Sequence, residues 1–244
     1  MSRGESGMFR SLRGQSVAAR IVDQVVGALF SRQLRPGQFF GTEAQLAKMF
    51  QLSRVPIREA LGRLEALGVV NIKTGAGGGA TIAEGEPDQF ATALAVQFTL
   101  VGVTAGEMFD ARIAIECRAA ELAATNMTDD ELVELRRNYD EIATGRSGRA
   151  AALRILGLHR AIVEGSRSRT LITLMHGLEH VMLNLYVEAW PRADGHLPHG
   201  YDALGTIVER IEARDSEGAL QAMRSHLVAR RRSVLQLLEQ PAQN

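Results

Sequence analysis

Two helical segments joined by a very short turn constrain the fold of this chain more than any other feature. The first segment, Glu43–Phe50, follows Thr42, a predicted N-cap whose capping-box partner is Gln45. The second ends at Gly68. Its apolar residues fall largely at helical spacing: Val55, Ile57, Leu61, Leu64 and Leu67. A short helix, a tight turn and a second helix predict a helix-turn-helix.

The flanking segments extend this motif to a winged form. Upstream, residues 16–32 predict a helix with one apolar face: Val17, Ile21, Val25 and Leu29. Downstream, the run VVNIKTGAGGGATIA contains two short β-prone segments around a glycine-rich tip, which predicts a two-stranded wing. We therefore predict a winged helix-turn-helix domain over residues 16–83.

The net charge of the chain is zero, but the charge is divided unequally along its length. Residues 1–83 contain eleven Lys and Arg against five Asp and Glu, whereas residues 84–244 contain seventeen against twenty-three. A basic module joined to an acidic one indicates that only the first contacts a polyanion. The sign changes within AEGEPDQF, which predicts a linker at residues 84–88. The polar, Arg-rich residues 1–15 are expected to form a flexible arm.

Arg54 and Arg58 stand one turn apart at the start of the second helix, where packing against a core does not require arginines. In a DNA-bound helix-turn-helix, the N-terminal residues of this helix reach base edges and phosphates. Ser53 lies at the same end, and an arginine can clamp guanine O6 and N7 or a phosphate. The alternative is that both arginines are solvated surface residues. Ion pairs that lock both guanidinium groups within the protein would contradict the DNA contact.

The glycine-rich tip of the wing has two open interpretations. A loose hairpin tip needs glycine wherever φ is positive. Glycine also lets a backbone approach minor-groove phosphates closely, with Lys73 and the Gly75 amide nearby. A nucleotide-binding loop is disfavoured because no GK[ST] follows and no strand–loop–helix pattern surrounds it.

Residues 89–240 contain no convincing strand and predict an all-α antiparallel bundle of six or seven helices. The predicted helices cover 107–126, a segment capped by Thr128 with Glu131, 150–164, 171–189, 204–213 and 216–239.

The single cysteine excludes an internal disulfide framework. With neither a long apolar run nor a secretory signal, a cytoplasmic protein without membrane contact is expected. The chain also lacks the nucleophile elbow, HExxH and Walker motifs that would indicate an enzyme.

Three features of residues 34–82 are specific in combination: the RPG, the run SRVPIREALGRLEALG and the glycine wing. Together they resemble the N-terminal domain of GntR-family transcription regulators. The remainder resembles the FCD effector domain of the FadR branch, through EMFDARIAIECRAAELAA, LHRAIVEGS and ARDSEGALQAMRSHL. The expected fold is mainly α, with an N-terminal winged helix-turn-helix and a C-terminal all-α antiparallel helical bundle.

The resemblance implies DNA contacts at the tip of the second helix and in the wing: Ser53, Arg54, Arg58, Thr74 and Gly75. One departure from the family pattern is Ala44, where many relatives carry an arginine. Its absence removes one expected contact and is expected to change operator preference.

Polar residues on apolar helix faces are candidates for a ligand site inside the bundle. Arg112 is either a surface arginine, a partner for Glu116 at i+4 or, as the resemblance implies, a bidentate clamp for a ligand carboxylate. His159 and His226 are the other candidates, as hydrogen-bond donors to an anionic ligand.

The metal-binding members of this branch use an Asp, a His four residues later and two further His. His159 and His226 match two of these four positions. Aliphatic residues occupy the other two: Ile155 and Leu204. Two imidazoles alone make a weak site, so no cofactor is expected and a divalent metal would bind weakly. His176 and His180, at i and i+4, are expected to face solvent, and a substitute site that uses them stays open.

These observations favour a ligand-responsive DNA-binding transcription regulator, expected to be a repressor released by a small carboxylate. A homodimer would place two recognition helices on a pseudo-palindromic, double-stranded operator. The alternative is a helical small-molecule- or metal-binding enzyme with a vestigial winged module, but residues 90–240 offer it only scattered His and Glu. The sequence leaves the identity of the effector, the operator and the direction of regulation open.

Overall fold

The computed structural model describes residues 16–75, 77–85, 87–144, 149–189 and 201–239. The chain divides into two compact units, residues 1–89 and 90–244. The expected flexible arm, residues 1–15, lies outside the described residues. A helix begins at Pro87, so the last two residues of the expected 84–88 linker are helical.

The first unit contains three helices and three strands: α1 (Val17–Phe30), β1 (Phe39–Gly41), α2 (Glu43–Phe50), α3 (Arg54–Ala66), β2 (Val70–Lys73) and β3 (Gly79–Ile82). The predicted capping box at α2 is confirmed, because Gln45 N donates to Thr42 Oγ1 at 3.2 Å and Thr42 N donates to Gln45 Oε1 at 2.8 Å. Gln51, in the left-handed conformation at φ 54°, ends α2. The helix-turn-helix is therefore specified by local hydrogen bonds as well as by apolar spacing.

The predicted two-stranded wing is confirmed as the hairpin of β2 and β3. The sheet also contains β1, which was not predicted, and its strand order is β1-β3-β2. Both pairings are antiparallel, with Val70 opposite Ile82 and Lys73 opposite Gly79 in the hairpin. Phe39 of β1 lies opposite Thr81. A three-residue strand carries too little alternation to be recognised before its partner strand is known.

The core of the first unit lies between the three helices and the sheet. Its buried side chains include Ile21, Val25, Leu46, Ile57, Leu61, Leu64, Val70 and Ile82. The two ends of the predicted α3 stripe were assigned wrongly, since Val55 is 76% exposed and Leu67 is 63% exposed. The core thus holds the middle of α3 and leaves its N-terminal end in solvent.

The second unit is all-α over its described residues: α4 (Pro87–Val101), α5 (Ala105–Asn126), α6 (Asp129–Thr144), α7 (Arg149–Gly165), α8 (Arg169–Ala189), α9 (Tyr201–Glu212) and α10 (Ser216–Glu239). The predicted cap is confirmed at Thr128, which accepts from Glu131 N at 3.3 Å. Asp215 accepts from Gly218 N at 2.9 Å and caps α10 in the same way. None of the described helices has both the length and the apolar composition needed to cross a bilayer.

Helix α5 lies at the centre of this unit and packs against α7, α8, α9 and, most extensively, α10. Its alanines at 119, 120, 123 and 124 are fully buried. Small side chains let neighbouring helices approach closely, and residues one and two turns earlier on the same face of the helix are therefore drawn into the interior. Those earlier residues include Arg112 and Glu116, both of which are fully buried.

Candidate nucleic-acid interface and effector site

The N-terminal end of α3 presents Ser53, Arg54, Val55 and Arg58 to solvent; we refer to these four residues as the α3 tip. Ser53 occupies the N-cap position but makes no side-chain capping hydrogen bond, which leaves its hydroxyl available to another acceptor or donor. Among the described residues, Arg54 has no ion-pair partner. The α3 tip therefore combines one hydroxyl, two guanidinium groups and an exposed apolar side chain.

Arg58 is engaged in an ion pair that the sequence analysis did not anticipate. Its Nε donates to Glu43 Oε1 and its Nη2 donates to Glu43 Oε2, both at 2.9 Å. The hydrogen bond from Arg58 lowers the pKa of Glu43 and, in return, raises the pKa of Arg58. The Arg58 side chain is nevertheless 73% exposed, and Arg54 is not locked in the same way. Both guanidinium groups stay accessible, so the DNA contact stays a prediction.

The tip of the wing places Lys73, Thr74 and Gly75 in solvent. Gly75 and Gly77 have φ of 92° and 78°, a left-handed conformation that residues other than glycine rarely adopt. Gly78 has a different requirement, because a Cβ added there would lie 2.3 Å from the Lys73 carbonyl oxygen. The hairpin therefore needs its glycines for its own geometry, and close approach to phosphates remains a second use that this geometry permits.

The second candidate site is a group of charged and polar side chains inside the helical unit. Arg112, Glu116 and His159 are at most 1% exposed. Arg112 Nη2 donates to Glu116 Oε2 at 3.2 Å, Arg112 Nε bonds Oε1, and His159 Nδ1 bonds Oε2. Of the three interpretations of Arg112, the surface arginine is therefore wrong and the i+4 partner of Glu116 is confirmed. The clamp on a ligand carboxylate stays a prediction.

The protonation of this group follows from its surroundings. Burial alone would raise the pKa of Glu116, but the charge of Arg112 and the hydrogen bonds from Arg112 and His159 lower it to about 2, so the carboxylate is ionised. Burial lowers the pKa of His159, which is therefore neutral near pH 7. A neutral ring beside a carboxylate carries its proton on Nδ1 and leaves a lone pair on Nε2. His159 thus offers an acceptor at Nε2, where the sequence analysis had expected a donor.

His226 lies beside His159, with the ring centroids 5.3 Å apart. His159 Nε2 and His226 Nδ1 are both buried and have no hydrogen-bond partner among the described residues. Burial, then the neighbouring His159, Arg230 and Arg112, lower the pKa of His226 well below its usual range, and Glu116 opposes them more weakly. His226 is therefore neutral near pH 7.

A groove of about 500 Å³ between α9 and α10 reaches His226. Its polar lining consists of Thr206, Arg210, Gln221 and Ser225. The guanidinium of Arg210 is held by Asp215 at 2.8 Å, so it is oriented by the protein itself. The groove gives His226 an approach from the surface of the unit, and His159 lies behind it with its ring beside that of His226.

Sequence reasoning missed two members of the buried group. Glu116 was considered only as a partner for Arg112, and Arg230 was not among the candidate residues. Arg230 is in fact 3% exposed, while its neighbour Arg231 faces Asp110 at 3.4 Å on the surface. The i+4 spacing was the available signal, because Arg230 follows His226 by four residues as Glu116 follows Arg112.

The donor set for a metal is small. Ile155 and Leu204 are buried and supply no ligand atom, and no set of three His, Cys, Asp or Glu within the described residues is arranged to hold an ion. The Nδ1–H of His159 does donate a hydrogen bond to the Glu116 carboxylate, as the second ring nitrogen of metal-binding histidines does. His159 Nε2 and His226 Nδ1 would be the ligands, fewer than the three or four of zinc sites. Weak metal binding accordingly stays a prediction. His176 lies 3.8 Å from Glu164, and the side chain of His180 lies outside the described residues.

Two family models match the chain. The model for bacterial regulatory proteins of the gntR family matches residues 17–79, and the FCD domain model matches residues 107–229, about half of the chain. The chain belongs to the GntR family. It is thus a DNA-binding transcription regulator with an FCD domain, and the enzyme alternative is not favoured.

Several GntR-family regulators are similar over most of the chain. The HTH-type transcriptional regulator YcbG of Bacillus subtilis is 30% identical over 167 residues, which cover 65% of this chain and 69% of that protein. The putative L-lactate dehydrogenase operon regulatory protein of Escherichia coli is 27% identical over 220 residues, covering 85% and 82%. The structure of Streptococcus agalactiae GntR superposes with a TM-score of 0.60 at 21% identity, covering 88% of this chain and all of that one, which supports the shared fold.

Proposed function

We propose that this GntR-family protein is a repressor that leaves its operator when a small carboxylate binds inside the FCD domain. The observation that carries the proposal is the pair of buried imidazole nitrogens without a partner, His159 Nε2 and His226 Nδ1. Buried polar groups are nearly always hydrogen-bonded, so two unpaired nitrogens on neighbouring rings, whose centroids are 5.3 Å apart, favour a place for a ligand. The rest of the surrounding core is apolar.

The chemistry of the buried group favours a carboxylate that also carries a hydroxyl. Arg230 and Arg112 both help to lower the pKa of His226, so two guanidinium groups lie near the imidazole rings, and such groups favour an anionic ligand. His159 Nε2 accepts a hydrogen bond and therefore suits a hydroxyl donor rather than the carboxylate itself. Arg112 binds Glu116, and Glu116 fixes the ring of His159. If the ligand carboxylate binds the guanidinium of Arg112, the ion pair between Arg112 and Glu116 opens. The E. coli relative is named as a putative regulator of an L-lactate dehydrogenase operon, and lactate is a hydroxy acid, so this name supports a hydroxy acid as the effector.

The DNA partner is proposed to be a double-stranded, pseudo-palindromic operator bound by a homodimer in the cytoplasm. Six residues of the winged unit would make the contacts: Ser53, Arg54, Arg58, Lys73, Thr74 and Gly75. The α3 tip suits the major groove, and the backbone of the wing suits phosphates. The effector must bind one dimer geometry more tightly than the other, because equal affinity for both would not change DNA binding.

Transcription in vitro from the promoter upstream of the protein's own gene tests the direction of regulation. We expect purified protein to lower transcript yield and a small hydroxy acid to restore it. Transcript yield that rises with protein would contradict the repressor assignment, and an effect that no carboxylate reverses would contradict the effector assignment.

Thermal unfolding with matched ligands tests the effector class. Lactate and propionate differ only by the hydroxyl, so we expect lactate to raise the Tm more than propionate at equal concentration. The His159→Leu variant should lose this difference but keep the response to operator DNA. Stoichiometric Zn²⁺ or Ni²⁺ should shift the Tm only slightly. A large shift from metal alone would overturn the weak-metal prediction.

A further inference from the structure

The ion pair between Glu43 and Arg58 joins the two helices of the helix-turn-helix at the α3 tip. Arg58 on α3 uses Nε and Nη2 to contact both carboxylate oxygens of Glu43, the first residue of α2, at 2.9 Å each. A fork with two parallel bonds fixes the plane of the guanidinium, which a single bond would leave free to rotate. The arginine is therefore oriented before any DNA arrives.

The side of the Arg58 guanidinium that faces Glu43 is hydrogen-bonded, while the N–H groups at its far end stay available to DNA. Of the five N–H donors of an arginine, Glu43 takes one on Nε and one on Nη2. The three others lie on Nη1 and Nη2, on a side chain that is 73% exposed. Two parallel donors at the end of the fork match guanine O6 and N7.

The charge of the pair disfavours a phosphate. Arg58 and Glu43 together carry no net charge, and the Glu43 carboxylate stays ionised because the hydrogen bond from Arg58 lowers its pKa. A phosphate beside Arg58 would also lie beside Glu43 and be repelled by it. Arg54, without an ion-pair partner among the described residues, is the better phosphate ligand of the two.

We propose that Glu43 determines sequence specificity: it holds Arg58 in position to contact a base and keeps it from binding phosphates of any sequence. This inference rests on the proposed DNA contact of the α3 tip. Glu43 is a positioning residue, since it acts through Arg58 and need not contact DNA itself. Its removal should therefore weaken discrimination between sequences more than it weakens binding.

The test measures the affinity of the full chain for two duplexes of equal length and composition. One duplex is recovered from a random-sequence pool by the wild-type protein, and the other is its scrambled form. We expect Glu43→Gln to lower the ratio of the two affinities by about fivefold or more, because a bidentate base contact is misplaced. It should also steepen the salt dependence by roughly one phosphate contact, because Arg58 is released. Glu43→Asp keeps the charge but shortens the reach, so it should lower the ratio without changing the slope.

Two controls separate this role from a general effect of charge. Glu59→Gln removes the same charge from α3, where Glu59 pairs with Arg63 at 2.6 Å, and should leave the ratio unchanged. In an Arg58→Ala background, Glu43→Gln should no longer change the ratio, because the residue through which it acts is gone. A wild-type protein that recovers no sequence from the pool would contradict the DNA proposal itself. A Glu43→Gln variant whose affinities for both duplexes rise equally, or a ratio that falls as much with Glu59→Gln, would overturn the inference on Glu43.

Discussion

At the scale of single residues, the two arginines of the α3 tip differ in their surroundings although the sequence treats them alike. Arg58 is paired with Glu43, whereas Arg54 has no ion-pair partner among the described residues. The partner of Arg58 stands fifteen residues earlier on another helix, so no local spacing reveals it. The position of both arginines at the start of α3 was predictable, and their inequality was not.

Arg54→Ala should reduce operator affinity by roughly tenfold or more and reduce the steepness of its salt dependence by about one phosphate contact. Fluorescence anisotropy at several salt concentrations measures both quantities. Arg63→Ala is the matched control, because Arg63 lies on the same helix beyond the tip and pairs with Glu59. Equal losses from the two substitutions would show that net charge alone, and not the tip, governs binding.

Glu116 is the residue on which the buried group of the FCD domain depends. Glu116→Gln leaves the guanidinium of Arg112 buried beside a neutral side chain, which should lower the free energy of unfolding by roughly 3 kcal/mol. Urea denaturation measures the loss. Glu121→Gln on the same helix breaks a more exposed pair with Arg118 and should cost less than about 1 kcal/mol. Similar costs for the two variants would contradict the buried network.

The same carboxylate predicts a pH dependence. Its pKa is about 2 in the folded protein against an ordinary value of 4.5, so the unfolded chain binds the proton more tightly. The stability that Glu116 contributes is therefore complete above pH 4.5 and is lost as the pH falls towards 2. Unfolding free energies of the wild type and Glu116→Gln should accordingly converge over that range. If the difference between the two unfolding free energies stays constant down to pH 2, this carboxylate does not titrate with a lowered pKa.

At the scale of helices and strands, the wing depends on one glycine more than on its neighbours. A Cβ at Gly78 would lie 2.3 Å from the Lys73 carbonyl oxygen, and neither backbone atom can yield without opening the hairpin. Gly78→Ala should therefore displace the tip. If the wing contacts phosphates as proposed, the affinity for operator and scrambled DNA should fall alike.

Gly27→Ala on α1 is the matched control for the wing. A Cβ at Gly27 meets nothing within 4 Å, so the substitution should stabilise the helix by up to about 1 kcal/mol and leave DNA binding unchanged. Nuclear magnetic resonance spectra report the hairpin, and anisotropy reports the affinity. If Gly78→Ala keeps both the wild-type spectrum and the wild-type affinity, the wing makes no contact of the proposed kind.

The sequence was sufficient for elements that are specified locally. Helix α2 begins at a capping box, and the helices that follow Thr128 and Asp215 begin at side-chain caps, so their starts were predictable. Strand β1 was missed because it exists only through its pairing with β3. Helix α4 was not identified because the boundary signal at Pro87 also suits the first residue of a helix.

The same distinction applies to the effector site. Arg112, His159 and His226 were recognised because a resemblance to the family singles them out, and all three are buried. Glu116 and Arg230 joined them only through packing, since burial of a charged side chain depends on which helices surround it. The tautomer of His159 depends in turn on Glu116, so the acceptor at Nε2 could not have been predicted without the tertiary structure.

At the scale of the whole molecule, the chain joins a basic winged unit to an acidic helical one, and the change in charge coincides with the division into two units near residue 89. Such a division suits a protein in which one part binds a polyanion and the other part senses a small molecule. The sequence predicted this division through charge and composition, which need no tertiary contact to be read.

The central claim is that the α3 tip enters the major groove of an operator. Interference by dimethyl sulfate tests it most directly, because methylation of guanine N7 blocks the major groove and methylation of adenine N3 blocks the minor groove. For the full-length protein on its selected operator, we predict interference at guanine N7 in two half-sites whose centres are about 10 base pairs, or a multiple of one helical turn, apart. Interference confined to adenine N3, or no interference at any guanine of a bound operator, would contradict the account.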